Sequence, residues 1–214
     1  MNVSYSEKMG FVWYRVAKTG TRSLHQVLSE NVEDYVYVVS KRATRRQKEV
    51  VASLVRSGAL SFSCVRNPWE RLVSAWYDKF KRVSKDEHFI RMRLRRCNKL
   101  DPSTPAQAFI DGDFSFFVAK LENSELYNGD VHFKPQSRLL PEHELTYLAR
   151  FEHYERDVVE IFNRLNLPCV SRLPHKNATP ARDPRFQNYF SPRERATVAK
   201  LYAADVDQFG YSFE

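Results

Sequence analysis

The sequence predicts an α/β fold in which helices flank a central, mostly parallel sheet. Short runs rich in β-branched and aromatic residues alternate with stretches of helical period from Phe11 to Phe80. The strand-like runs are separated by segments long enough for crossover helices, which parallel strands require. Hydrophobic residues make up 43% of the 214 residues and aromatics 14%, enough to bury a core and to exclude a wholly disordered chain. That length suits one domain, residues 1–214.

Phe11 to Val16 is the first β-rich run, and Ala17 to Ser23 a polar turn directly after it. Leu24, Val27 and Leu28 then repeat at helical spacing. A second strand, Tyr35 to Val39, precedes a basic helical stretch from Thr44 to Ser57. Leu60 to Val65 is the third strand, and Arg66-Asn67-Pro68 opens a strong helix, with Asn67 as N-cap and Pro68 at the first helical position. Trp69, Leu72, Val73, Trp76, Tyr77 and Phe80 form one continuous apolar face. A basic insert at 81–104 reads as a short helix before a loop, Asp101 to Thr104. Residues 105–121 read as a helix, Val131 to Gln136 as a loop, Leu145 to Phe151 as a strand and Tyr154 to Leu165 as an amphipathic helix. The proline-rich segment 168–192 reads as irregular, and 193–208 as a last helix.

Lys plus Arg is 34 against 26 Asp plus Glu, a net charge of +8, which points to an anionic partner without choosing one. No run of 18 apolar residues exists, so no membrane anchor is expected. The first 18 residues lack the basic-then-apolar pattern of a secretory signal. Cys64, Cys97 and Cys169 are far apart and show no zinc spacing. Cys64, in a strand-like run, reads as a reduced thiol packed as a small hydrophobe, and the expected location is the cytoplasm.

The turn from Lys18 to Ser23 carries the chemistry. Ligands of open parallel sheets bind at the carboxyl ends of strands. A turn there that opens a helix offers backbone N–H groups and the positive end of the helix dipole. Gly20 lets the backbone close on an anion; Thr19, Thr21 and Ser23 add hydroxyls, and Lys18 and Arg22 add charge. Phosphate is the natural occupant, although an ordinary turn with solvated charges has the same composition. A second pair, Arg66 at the end of the third strand and Ser74 on the next helix, suits a second phosphate. Ser74 also fits a plain helical serine bonded to its own backbone.

Taken together, these segments resemble the sulfotransferases. Arg15 to Leu24 resembles their 5′-phosphosulfate loop, and Cys64 to Trp76 their 3′-phosphate block. The spelling is most similar to carbohydrate sulfotransferases of the Golgi type and their bacterial relatives, sulfotransferase family 2. His132-Phe133-Lys134-Pro135-Gln136, then Arg150-Phe151-Glu152 with Asp157, resemble further segments of that family in order. So do Leu173 to Asn177, Tyr189-Phe190, Asp205 and Phe209-Gly210-Tyr211. The resemblance implies a P-loop-like, three-layer fold and the donor 3′-phosphoadenosine 5′-phosphosulfate, with no metal. Lys18 would contact the bridging oxygen and the 5′-phosphate, Thr19 to Ser23 would cradle that phosphate, and Arg66 and Ser74 would hold the 3′-phosphate. The acceptor would be a carbohydrate hydroxyl or a small natural product.

A general base must take the acceptor's proton. His132 is the first candidate, and His25, two residues past Ser23, the second. Many relatives carry a histidine just after the second strand; Ser40 to Thr44 holds none, and Arg42 there suits an acidic acceptor or the donor. Two other functions are weighed. A small P-loop kinase lacks its G-x-x-x-x-G-K-[ST] motif here. A non-catalytic basic module binding RNA or anionic glycan explains the charge but not two phosphate sites. The run Arg91 to Arg96 has no interleaved aromatics, so no nucleic-acid partner is expected.

Overall fold

Five strands form one sheet in the order β3-β1-β2-β4-β5 in this computed structural model, which describes residues 2–82, 85–122, 124–168 and 183–214. In chain order the first elements are β1 (Val3–Ser6), β2 (Phe11–Tyr14), α1 (Thr21–Asn31), β3 (Val36–Val38), α2 (Arg45–Arg56) and β4 (Leu60–Val65). Then come α3 (Pro68–Trp76), α4 (Glu87–Leu100), α5 (Ala106–Asp111), α6 (Phe114–Leu121) and α7 (Glu125–Gly129). The last are β5 (Tyr147–Arg150), α8 (Tyr154–Arg164), α9 (Pro192–Leu201) and α10 (Ala203–Phe209). Contacts divide the chain into two units: Met1–Arg66 with Arg138–Ala178, and Asn67–Ser137 with Thr179–Glu214.

The first unit holds the whole sheet. β2, β4 and β5 pair in parallel, as expected, but β1 pairs antiparallel with both β2 and β3. The sheet is therefore mixed, and the strand that makes it so is one the sequence reading passes over. In β1, Val3 and Tyr5 sit opposite Tyr14 and Val12, while Ser4 and Ser6 sit opposite Trp13 and Phe11. The small serines leave room for two large rings on that face, and the register follows from the alternation.

Both faces of the sheet are covered. On one, Phe11, Trp13, Phe62 and Cys64 pack with Leu24, Val27 and Leu28 of α1 and with Val158, Ile161 and Phe162 of α8. On the other, Val3, Tyr5, Val12, Tyr14 and Val38 meet Val50, Val51, Leu54 and Val55 of α2. This gives three layers, helix, sheet and helix. The chain leaves β2 through α1 toward β3 on one side, whereas β4 lies on the other. The carboxyl ends of β2 and β4 thus flank a topological switch point, where open α/β sheets bind ligands.

The second unit is helical. Its core gathers Trp69, Leu72, Val73 and Trp76 of α3 with Phe80, Phe109, Phe114, Phe117, Phe133, Val198 and Tyr202. The predicted apolar face is real, but the helix changes pitch: α3 passes into a π-helical turn over Tyr77–Lys81. Two other predicted helices are each two. Gly112 divides 105–121 into α5 and α6, and Tyr202 divides 193–208 into α9 and α10. The basic insert is mostly one helix, α4, rather than a loop with a short helix before it. Its arginines are largely engaged: Arg91 pairs with Glu87, Arg93 donates to the Arg82 carbonyl and stacks on Phe89, and Arg96 pairs with Asp130. Among the described residues no helix is long and apolar enough to cross a membrane.

Candidate active site

The turn after β2 enters α1 through two left-handed residues. Lys18 has φ 73° although it is not glycine, and Gly20 has φ 75°. A non-glycine residue held there costs about 1–3 kcal/mol and persists only where its surroundings fix it. Three contacts do so. The Thr19 hydroxyl donates to the Val16 carbonyl at 2.9 Å, Arg66 Nη1 donates to the Lys18 carbonyl at 3.1 Å, and the Tyr154 hydroxyl donates to the Gly20 carbonyl at 2.8 Å. Ser63 Oγ donates to the Tyr14 carbonyl at 2.7 Å and ties the end of β2 to β4.

Gly20 is the N-cap of α1, with no side-chain cap and no acidic residue in the first turn. The first turn of the helix therefore carries no carboxylate of its own against the positive end of the dipole. Lys18 and the exposed Arg22 add charge beside it. Thr21 is partly exposed, whereas Ser23 and Thr19 are buried. Since Thr19 commits its hydroxyl proton inward, its remaining offer to an anion is its backbone N–H.

Gly20 is also fixed sterically. A Cβ there would lie 2.6 Å from Cζ of Tyr154, in the ring whose hydroxyl already holds the loop. Gly20→Ala is expected to lower unfolding stability by at least about 1–3 kcal/mol in a denaturant titration. Adding Tyr154→Ala should return the steric part of that loss and leave the backbone part. An unperturbed Gly20→Ala protein would mean that the loop is free to take another path.

Arg66 ends β4 and is 5% exposed. Its guanidinium lies 4.1 Å from the centroid of the Phe151 ring while bonding the Lys18 carbonyl. This explains two segments at once: Phe151 supports Arg66, and the backbone N–H of Arg150 is held by Asp157 at 2.7 Å. Lys18, Thr19, Gly20, Thr21, Arg22, Ser23 and Arg66 thus come together in the first unit.

Ser74 and His132 belong to the second unit. Arg71 of α3, 1% exposed, donates to the carbonyls of Val131 at 2.8 Å and Lys134 at 3.0 Å. Tyr202 donates to the Phe133 carbonyl at 2.6 Å, and Asp205 accepts the backbone N–H groups of Gln136 and Ser137, each at 2.8 Å. The loop carrying His132 is therefore held along its length. His132 Nδ1 is 2.7 Å from Asp130 Oδ1, which also accepts the His132 backbone N–H at 2.9 Å. Burial pushes the His132 pKa below its ordinary value; Asp130 opposes that shift, while Lys79 and Arg96 add to it. Despite burial, which acts upward, the His132 contacts hold the Asp130 carboxyl well below the usual carboxylate range. With Nδ1 facing a carboxylate, Nε2 is the nitrogen left to take a proton. Ser74 lies three residues after Arg71 on α3 and is partly exposed.

A family model described as the sulfotransferase family matches residues 1–212. The chain belongs to the sulfotransferase family. No curated protein and no solved structure matches it significantly. Sulfotransferases move sulfuryl groups, and the motif-bearing residues of this one include several with clear local duties. Arg71, Phe151, Gln136 and Asp205 hold loops; Asp205 and Gln136 are both fully buried. Asp130 and Tyr154 escape a sequence reading. The Asp-x-His spacing could have flagged Asp130, but nothing local marks Tyr154, which reaches Gly20 from 134 residues away.

The second base candidate, His25, is tied up in this sulfotransferase. Its Nδ1 lies 2.9 Å from the Tyr35 hydroxyl, and its ring packs on Tyr35 and Tyr37. Burial, then the Arg15 charge, lowers its pKa. Arg42 is exposed in the turn after β3. The segment Leu173 to Asn177 lies outside the described residues.

Proposed function

We propose that this sulfotransferase carries a sulfuryl group from 3′-phosphoadenosine 5′-phosphosulfate to an acceptor hydroxyl by in-line transfer, with residues 1–214 acting as a single sulfotransferase domain. The acceptor is a carbohydrate or a small natural product. The observation that carries the reading is the start of α1, with no side-chain cap and no acidic residue in its first turn, approached through left-handed Lys18 and Gly20 at the sheet's switch point. Such a cradle suits a phosphate. The donor supplies an already activated sulfuryl group; the chain's own residues bind, orient and balance charge. The N–H groups from Thr19 to Ser23 would hold the 5′-phosphate, and Lys18 would face the charge that develops on the bridging oxygen. Arg66 would bind the 3′-phosphate while holding the Lys18 carbonyl. Roles for Ser74 at that phosphate and for His132 as base rest on the family resemblance, and in the case of His132 on the Asp130 contact as well. A cytoplasmic location is part of the same proposal.

Melting in the presence of nucleotides tests the donor. At about 100 times its dissociation constant, 3′-phosphoadenosine 5′-phosphate should add roughly 2.7 kcal/mol, a melting shift of about 5–10 °C. AMP and ADP at the same concentration should do markedly less. An equal shift with ADP, or one that needs magnesium, would favour the kinase.

Arg66→Ala is expected to weaken binding of 3′-phosphoadenosine 5′-phosphate by about 1.5–3 kcal/mol. Adenosine 5′-phosphosulfate, which lacks the 3′-phosphate, should lose much less in a parallel titration. Equal losses would show that Arg66 acts only through the Lys18 loop.

A further inference from the structure

Between α2 and the sheet, inside the first unit, lies a cavity of about 520 Å³ that the transfer reading does not use. We infer that this cavity is a binding site for a small amphipathic anion, with its apolar body between α2 and the sheet and its acidic head at Lys48 and Arg56.

Short apolar side chains make up much of the cavity's wall. Val38 on the sheet and Val51, Ala52 and Val55 on α2 line it beside the packed contacts of that layer, and no residue of α2 is fully buried. The helix is nevertheless well made, with a capping box of Thr44 and Gln47 bonds at 3.2 and 3.0 Å. A cleft of this volume with apolar walls and a few polar groups has the dimensions of a small-molecule site.

Charge selects the ligand. Lys48 and Arg56 both line the cavity, and neither makes an ion pair among the described residues. Residues 41–56 carry Lys41, Arg42, Arg45, Arg46, Lys48 and Arg56 against a single acid, Glu49, which is taken by Arg45 at 2.8 Å. The wall away from α2 offers two polar groups, the Tyr14 hydroxyl and the His143 ring, whose Nε2 lies 3.3 Å from that hydroxyl. An apolar wall under a cationic rim favours an amphipathic anion over a neutral or cationic molecule of the same shape.

Calorimetric titration of the full chain with dodecanoate, dodecanol and dodecyltrimethylammonium, each below its micelle concentration and without nucleotide, tests this. Dodecanoate should bind at one site per chain, tighter than either comparison ligand. Val51→Trp should fill the cavity and abolish binding of all three. Lys48→Glu with Arg56→Glu, both at exposed positions, should weaken dodecanoate by about tenfold, the scale of two partly screened charge contacts, and should not weaken dodecyltrimethylammonium. Equal affinity for the anion and the cation would overturn the inference. So would undiminished dodecanoate binding in a folded Val51→Trp protein, or in the double charge variant if Val51→Trp fails to fold. Because no nucleotide is present, these results are independent of the donor assignment.

Discussion

Lys18→Ala is expected to cut turnover by about 10²–10³-fold, the usual loss when one preorganised charge donor to a transition state is removed. Ground-state binding of the nucleotide should fall far less. As the S–O bond breaks, negative charge grows on the bridging oxygen, and an ammonium group nearby is worth most at that moment. The structure adds a control, because Lys18 occupies the left-handed region at φ 73°. Lys18→Gly removes the amine and also relieves the backbone, so it should be the more stable variant by about 1 kcal/mol. Both variants should be equally inactive if the amine does the chemistry. A Lys18→Gly enzyme with normal turnover would show that the residue serves only to shape the turn. Single-turnover measurement of sulfuryl transfer separates these outcomes from changes in product release.

His132→Ala should lower turnover by about 10²–10⁴-fold if its imidazole is the general base. Burial lowers its pKa, so it stays neutral, and able to accept a proton, to a pH below its ordinary 6.5. The acid limb of the rate profile should therefore fall below that value. Asp130 acts upward on the His132 pKa, so Asp130→Asn should move the acid limb lower still while reducing turnover less than His132→Ala. Asp130 is thus a positioning residue, and the pH profile distinguishes it from a merely structural one. An acceptor already ionised at the assay pH needs no base and should partly rescue His132→Ala but not Lys18→Ala. Near-normal turnover of His132→Ala on an un-ionised acceptor would remove His132 from the mechanism. The same shift bears on stability. A histidine whose folded pKa is depressed contributes stability above its unfolded pKa, and that contribution is lost as pH falls through the window down to the folded value. His132→Gln should flatten that part of the stability curve.

Much of the chain from β2 to α3 was legible because its signals are local. Leu60 to Val65 is a strand with the expected limits, and Asn67 caps α3 through bonds from Trp69 and Glu70 at 3.1 and 3.4 Å. The polar turn between Tyr14 and Leu24 was legible as a turn that opens a helix, because its residue types and single glycine mark one wherever the strand ends. β1 was not legible, since Val3 to Ser6 is a four-residue run whose meaning lies in its partners on both sides. The breaks at Gly112 and Tyr202 were hidden by apolar periodicity that continues across them.

What the sequence determined by itself is the chemistry on offer: a basic turn that opens a helix, an arginine at the end of the next parallel strand, and a histidine in an aromatic loop. Tertiary structure decided how those groups are held. Lys18 is left-handed because Arg66, 48 residues on, bonds its carbonyl, and Gly20 admits no Cβ because Tyr154 stands against it. Asp205 fixes the His132 loop across 69 residues of chain. Such restraints join groups that only chain folding brings within hydrogen-bond range, and a local pattern has no term for a partner that distant.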